Sequence, residues 1–454
     1  MTTTTPRPDR LDRLDRLDRL DGEAILPADP RFDAARTVWN AMVDRRPRLV
    51  VRCRSVADVV TAVRTARERD LEIGVRCGGH SALGFAVPDG GLMIDLTPLS
   101  GVRVDPVARR ARVRGGALLG ALDAAAQQHG LATTAGNVSH TGVGGLTLGG
   151  GMGWLARQHG MACDNVLSYE VVTAAGEVVT ASRDEHPDLY WGLRGGGGNF
   201  GVVTDFEFRL HPVGTRALVA EHSFPVAAAA PVLRGWRDLA AAAPRPATFT
   251  AEVSGDTATV GFVWVGDPAA GARLLPGLRS LGRPAAARVT EMSYVDLQTR
   301  DDSTGGHAYR RYSKGHYLRR FPDEAIEAFL LRGTSAGTGA LLPGVSLQQH
   351  GGAIADVPAD DAAISYRGTL FEYGAGARWT DPGEDAARTA AARDAAAALE
   401  PYASGVYVNS LGDEGAAGLR RAYSPAKLAR LTAVKDAYDP DNVFHLNQNI
   451  RPSR

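Results

Sequence analysis

Apolar positions recur along this chain with two different periods, and where one gives way to the other the elements can be placed. Over 55–68 the run S-V-A-D-V-V-T-A-V-R-T-A-R-E sets Val59, Val60 and Val63 on one face behind a serine cap, which predicts an amphipathic helix. A strand at 72–75 follows and ends in a glycine turn, R-C-G-G-H-S, at 76–81. A capped helix pattern at 33–42 and a short apolar strand at 49–51 precede it. Such helix-and-strand alternation marks an α/β region. Two β-branched runs around Ala175-Gly176 predict a hairpin over 169–180, and 202–210 reads as a further strand.

From about 214 to 424 the pattern changes to alanine-rich helices between polar strands at 248–253, 257–265, 347–357 and 370–375. This predicts a second α+β domain, with helices over one face of a mainly antiparallel sheet. A helix at 424–438 and the segment Y-D-P-D-N-V-F-H-L-N-Q-N-I close the chain, and nothing in their statistics assigns them to either domain. Between Gly136 and Gly153 glycine is so dense that an ordinary helix is not expected; such backbone turns tightly or approaches a ligand. At the N-terminus an R-L-D triplet repeats over 10–21 with a period that suits neither helix nor strand. Residues 1–29 therefore read as a solvated tail outside the fold.

Composition narrows the chemistry. The 454 residues carry 51 basic and 51 acidic side chains, so net charge gives no reason to expect nucleic acid or an anionic membrane as partner. Only Lys314, Lys427 and Lys435 are lysines and none follows a glycine, which excludes a G-x-x-x-x-G-K-[ST] phosphate loop and leaves few candidates for Schiff-base chemistry. Three cysteines (Cys53, Cys77, Cys163) make neither a disulfide framework nor a C-x-x-C pair, and no apolar leader follows Met1. A reducing, cytoplasmic setting is expected. No apolar run is long enough for a membrane-spanning helix, and no histidine spacing suggests a metal.

Two formal motif matches fail on their context. Gly196-x-Gly198-x-x-Gly201 fits the dinucleotide fingerprint, but a helix-like run precedes it and a strand follows, the reverse of what that site requires. Gly333-Thr334-Ser335-Ala336-Gly337 fits a nucleophile elbow, yet it follows a helix pattern where a strand is needed. His80 at the tip of the 76–81 turn and Cys163 in G-M-A-C-D-N-V read, on their own, as a turn residue and an inert buried thiol.

Four blocks taken together say more. R-C-G-G-H-S, T-G-V-G-G-L-T-L-G-G-G-M-G-W-L-A-R-Q-H-G-M-A-C-D-N-V, H-P-D-L-Y-W-G-L-R-G-G-G-G-N-F-G-V-V-T and Y-D-P-D-N-V-F-H-L-N-Q-N-I resemble, in order and spacing, the berberine-bridge-enzyme-type flavin oxidases, over about 33–450. The resemblance implies an α+β fold: a two-subdomain FAD-binding domain of the vanillyl-alcohol-oxidase (PCMH) type at 30–213, a substrate domain at 214–424, and a segment at 425–454 returning to the FAD domain. It implies covalent FAD, with His80 bonded to the flavin 8α-methyl carbon and Cys163 supplying a second bond to C6. It implies cofactor contacts from Arg76, Cys77, Gly78, Gly79 and Ser81 in the first block. In the second block it implies them from His140, Thr141, Gly142, Gly144, Gly145, Gly149 and Gly150. Gly198, Asn199, Gly201, Val202 and Val203 would complete the cleft, and Asn447 and Asn449 would close over it.

The chain departs from that pattern at Cys77, where a smaller residue is expected, and at Tyr407-Val408-Asn409-Ser410, where alcohol-oxidising members often carry Y-x-N-Y with a tyrosine base. Period-two alternation offers other bases from the substrate sheet: His350, with Gln348, on one strand, and Tyr366 and Glu372 on the next. Glu372 is the favoured general base, with Tyr366, Tyr407 and His350 as alternatives. The expected reaction is hydride transfer from a small-molecule substrate, a secondary metabolite or sugar, to flavin N5, with dioxygen as the oxidant. A flavin-dependent oxygenase or cyclase and a non-catalytic binding protein are the competing readings. The presence of Cys163 is taken as an argument against the oxygenase.

Overall fold

The computed structural model describes residues 17–303 and 306–454. Most of the R-L-D repeat lies outside those residues. The described part joins the fold earlier than expected: Leu17 is buried against the Val59–Val63 helix core, and Glu23–Ile25 is a strand paired antiparallel with Leu49–Arg52. The helix cap reaches back to hold it. Asp58 accepts from Ser55 in a capping box, and its carboxylate also takes the Asp21 and Gly22 amides at 2.8 and 3.0 Å. No local period could signal a strand of three residues held by a distant carboxylate.

Three larger sheets organise the described residues, beside a two-stranded pairing of Leu131–Ala132 with His211–Pro212. The first, ordered Glu23–Ile25, Leu49–Arg52, Leu92–Asp95, Ile73–Arg76, is parallel except at its first pair and is backed by the helix Val56–Glu68. The second is a five-stranded antiparallel sheet in which Val202–Arg209 lies between Arg110–Arg114 and the hairpin Val166–Val172 / Val178–Ser182. The third has eight strands, all antiparallel, in the order 286–293, 216–225, 257–265, 247–254, 344–349, 371–379, 310–318, 403–405. Helices Ala229–Ala241, Asp323–Leu331 and Asp385–Leu399 cover one of its faces, packing on Phe249, Val253, Val345, Leu347, Phe371 and Tyr373. Alternate residues, including Thr250, Gln348 and Glu372, therefore face the other way, toward the two smaller sheets. Asn137 from that side donates to Gln348 at 2.8 Å.

Element boundaries differ from the sequence expectation where tertiary bonds intervene. The helix expected over 33–42 is only Phe32–Ala35, because the Trp39 amide donates to Gly79 O and the Asn40 side chain bonds Ala82 O and the Arg311 backbone. The strand expected over 347–357 ends at Gln349, and a short helix, Ala353–Asp356, follows a Gly351-Gly352 turn with positive φ at both residues. Helix Pro187–Leu193 before and strand Val202–Arg209 after Gly196–Gly201 give the order that excluded a Rossmann site. Helix Asp323–Leu331 likewise precedes the Gly333–Gly337 turn. No helix among the described residues is long and apolar enough to cross a membrane.

One of the ties between the substrate domain and the glycine run is a buried amide. Gln298, on the helix Tyr294–Thr299, donates to Asp123 Oδ2 at 3.0 Å and to Gly136 O at 2.9 Å. Asp123 is buried and desolvation raises its carboxyl to a pKa of about 7. Its folded pKa thus exceeds the unfolded value of about 4, so the folded state binds the extra proton between these values. Stability contributed here is full below about pH 4 and is lost as pH rises toward 7, by about 4 kcal/mol in all. Asp123→Asn should remove that decline. Denaturant midpoints of variant and wild type should converge near pH 4 and separate in favour of the variant at pH 8; parallel pH profiles would refute the assignment.

Candidate active site

A cavity of about 380 Å³ is enclosed where the three sheets and the C-terminal segment meet. One wall is the turn Gly78–Ser81, another runs from Thr141 to Leu148, and a third from Gly196 to Val203; residues 444–448 and 407–411 close it. The first two walls touch through backbone. A Cβ on Gly78 would lie 2.3 Å from the Gly142 amide nitrogen, and one on Gly142 2.5 Å from Cys77 Sγ. Contrary to expectation, a helix does run through the glycine-dense stretch, at Val143–Leu148. Gly145 presents no side chain there, and nothing lies within 4 Å of where its Cβ would be.

Of the residues expected to hold cofactor, Cys77, Gly78, Gly79, His80, Ser81, Thr141, Gly142, Gly144, Gly145, Gly198, Asn199, Gly201, Val202, Val203 and Asn447 line this cavity. The rest stand behind its walls. Arg76 is bound to Asp95 by two guanidinium nitrogens, at 3.1 and 2.7 Å, and so braces the turn from outside. Gly149 packs against the Asn409 amide, and Gly150, at φ +126°, fits between Met161 and Ile364. Asn449 borders a shallow depression beside Asp441 and Arg451 instead. His140 reaches the cavity only through His80.

His80 is held on three sides. Its Nε2 is 2.7 Å from His140 Nδ1, its Nδ1 is 3.4 Å from Thr141 Oγ1, and its ring stacks on Trp39 at 4.8 Å. Burial, His140 and the Arg311 guanidinium lower its pKa to about 4, so at neutral pH it is an uncharged imidazole with a lone pair to offer.

Cys163 is not placed as expected. It is fully buried, forms none of the cavity wall, and packs in the core with Tyr169 and Val166. Its amide donates to Gly150 O, and burial, then the Asp164 carboxylate, push its thiol far above the ordinary value. This position, behind the wall and away from the cavity lining, gives no support to a second bond from this sulfur to a flavin. The family resemblance implied otherwise, whereas the residue read by itself as an inert buried thiol, and that is how it is placed. Cys77 does line the cavity, but burial raises its thiol to about 11 and it donates to Ala117 O at 3.3 Å.

Three of the four candidate bases gather at one place. Gln348 and Glu372 are cross-strand partners, and the His350 amide extends the register by bonding Leu370 O. One Glu372 oxygen accepts from Ser410 Oγ at 2.9 Å; the other is 3.5 Å from His350 Nε2. Tyr407 lines the cavity, and its hydroxyl accepts from the Gly151 amide at 2.9 Å and Asn409 Nδ2 at 2.8 Å. Burial, then the Glu372 charge, keep both Tyr407 and Tyr317 protonated well above the usual phenol range. Tyr366 is elsewhere: at φ +59° it begins a tight turn and packs its ring against Gly405.

The C-terminal segment returns to this site by a buried charge. Lys435 Nζ donates to Asn199 O, Asp439 Oδ2 and Phe444 O at 2.8, 2.6 and 3.0 Å, which uses all three of its protons. Asn199 holds the same segment with its side chain, donating to Gln448 O and accepting from the Ile450 amide. Residues that sequence reasoning missed, Ser313, Val408, Asn409 and Leu411, come from the substrate domain, where only Ser410 and Asn409 of the altered Y-x-N-Y motif gave a signal.

These residues fit a flavin dinucleotide. The cavity is walled by glycine-rich turns and by Ile73, Val75, Leu96 and Phe444, and Asn447, which lines it, has a buried Oδ1 without a partner, an acceptor waiting for a donor. Comparison with known proteins agrees. Residues 47–182 match the family model "FAD binding domain" and 406–451 the model "Berberine and berberine like". The chain is 32% identical to (R)-6-hydroxynicotine oxidase of Paenarthrobacter nicotinovorans over 95% of its length and 97% of the relative's. The crystal structure of 6-hydroxy-D-nicotine oxidase from Arthrobacter nicotinovorans superposes with a TM-score of 0.84 at 30% identity, covering 96% of this chain and 98% of that one. Physcomitrella patens BBE-like 1 shares the fold, with a TM-score of 0.89 at 23% identity over 97% and 99% of the two chains. Fold, cavity and full-length similarity together place this chain in the berberine-bridge-enzyme-like family of FAD-linked oxidoreductases.

Proposed function

We propose that this FAD-linked oxidase carries its flavin on a single covalent bond from His80 and oxidises a small molecule presented on the uncovered face of the eight-stranded sheet. FAD supplies the hydride acceptor and the route of electrons to dioxygen, with peroxide as the product. The observation that carries the reading is an uncharged, fixed imidazole at one wall of the cavity and Tyr407 at another, with the Glu372 carboxylate, itself outside the lining, close enough to Tyr407 to hold its phenol protonated.

Glu372 is the proton acceptor in this reading. The Ser410 hydroxyl and the His350 ring fix its carboxylate next to Tyr407, while Tyr407 stays protonated because the buried phenol cannot easily ionise beside that charge. A phenol held neutral orients substrate or passes a proton to Glu372; it does not act as the base. Ser410 stands where other members often carry the second tyrosine of Y-x-N-Y, and its bond to Glu372 supports the reading that the carboxylate is the base in this chain. With no support for a bond from Cys163, the argument against an oxygenase that its presence had supplied falls away. Peroxide formation then becomes the discriminating measurement.

After acid precipitation the wild-type pellet should stay yellow, and His80→Ala should release all flavin to the supernatant while Cys163→Ala should not; a colourless wild-type pellet would end the covalent reading. 6-Hydroxynicotine, the compound in the relative's name, is the first probe for anaerobic bleaching, followed by other amines and by sugars. With a substrate that bleaches the wild type, Glu372→Gln should slow flavin reduction by about 10²–10⁴-fold in stopped flow, and Tyr407→Phe by clearly less. Equal reduction rates for wild type and Glu372→Gln would assign the base elsewhere.

A further inference from the structure

His140 is the residue that the mechanism above does not use, and its place is unusual. It lies behind the cavity wall, yet its Nδ1 makes the short contact to His80 Nε2, at 2.7 Å with ring centroids 4.7 Å apart. The turn that carries it is pinned from the substrate domain: Asp302 accepts from the Ser139 amide at 2.8 Å and from Ser139 Oγ at 2.6 Å, and the Ser303 amide lies 3.4 Å from His140 Nε2. On the opposite side of His80 the Trp39 ring stacks at 4.8 Å, with the Arg311 guanidinium 3.9 Å beyond Trp39. The His80 ring is thus clamped, and its Nδ1 lies 3.4 Å from the Thr141 hydroxyl.

From this arrangement we infer that His140 is a positioning residue for flavin attachment: it accepts the Nε2 proton of His80 as His80 Nδ1 bonds to the 8α carbon. The inference rests on the covalent reading of His80. Its chemical reason is charge. A neutral imidazole that attacks through Nδ1 becomes a cation unless its Nε2 proton leaves, and the surroundings of His80 disfavour a cation: burial, His140 and Arg311 all oppose protonation. His140 Nδ1 is the acceptor in reach of that proton.

The step balances. One C–H of the methyl group breaks and one C–N bond to Nδ1 forms. The methyl proton and the His80 proton are released, the latter to His140. The two electrons enter the ring system, and dioxygen removes them with two protons as hydrogen peroxide. The reactive tautomer has the proton on His80 Nε2 and a bare His140 Nδ1; the long Ser303 amide contact is what this tautomer gives up.

The test compares wild type, His140→Ala and His140→Gln, each produced identically and loaded with FAD, with total flavin read from the native spectrum and covalent flavin from the acid-precipitated pellet. His140→Ala should still bind FAD, but covalent incorporation should slow by about tenfold or more. Added imidazole should restore the rate, and the residual rate should climb with pH because hydroxide replaces the missing acceptor. His140→Gln, which keeps a hydrogen-bonding side chain but cannot take a proton, should resemble His140→Ala. Wild-type rates in both variants, or slow rates that neither imidazole nor pH moves, would overturn the role. A wild type that binds FAD with none in the pellet defeats the His80 reading itself and this inference with it, a result distinct from equal incorporation in wild type and variants.

Discussion

The Gly78 and Gly142 main chains touch so closely that a methyl group on either would collide with the other turn. Much of the site depends on that contact. It brings the end of a parallel strand in one sheet against the entrance of the Val143–Leu148 helix, and so sets His80 beside Thr141 and His140. Two turns can approach to backbone contact only where neither carries a side chain. The glycines here act first on packing between elements and only then on space for a ligand.

Around this contact the molecule is tied together by groups that each reach across domains. Asp58 gathers the N-terminal strand, Gln298 joins the substrate domain to the glycine run, and Lys435 folds the C-terminal segment onto Asn199. Each makes hydrogen bonds with backbone or carboxylate groups far along the chain. Buried donors left unpaired cost about 1–3 kcal/mol apiece, so these ties specify where the segments go as well as holding them. Two of the three lysines in the chain, Lys427 and Lys435, are buried in this way, both donating to backbone carbonyls. Their scarcity reflects composition, but their positions are structural.

The eight-stranded sheet shows how the two faces divide the labour. Aromatic and branched residues on one face bury against three helices, and on the other face Glu372 and Gln348 pair across strands, with Glu372 bonded to Ser410, which stands between the cavity-lining Asn409 and Leu411. A change of one residue in register would exchange them. The departure at Ser410 is thereby explained in place: the side chain that replaces an expected tyrosine holds the carboxylate oxygen.

Periodicity in the sequence determined the helix at 56–68, the hairpin at 166–182, the antiparallel second domain and the reversed order around Gly196–Gly201, because each depends on neighbours within a few residues. Motif spacing likewise located most of the cavity wall, since the walls are contiguous turns. What spacing could not decide is direction. Cys163 follows the glycine block in the chain yet packs into the core, while His140, expected as a cofactor contact, instead meets His80 across 60 residues. Tyr366 and Glu372 share a strand parity in the sequence, but the chain turns through positive φ at Tyr366, and only Glu372 meets Ser410 and His350. These outcomes are set by contacts between segments far apart in the chain, and only the tertiary structure brings those segments together.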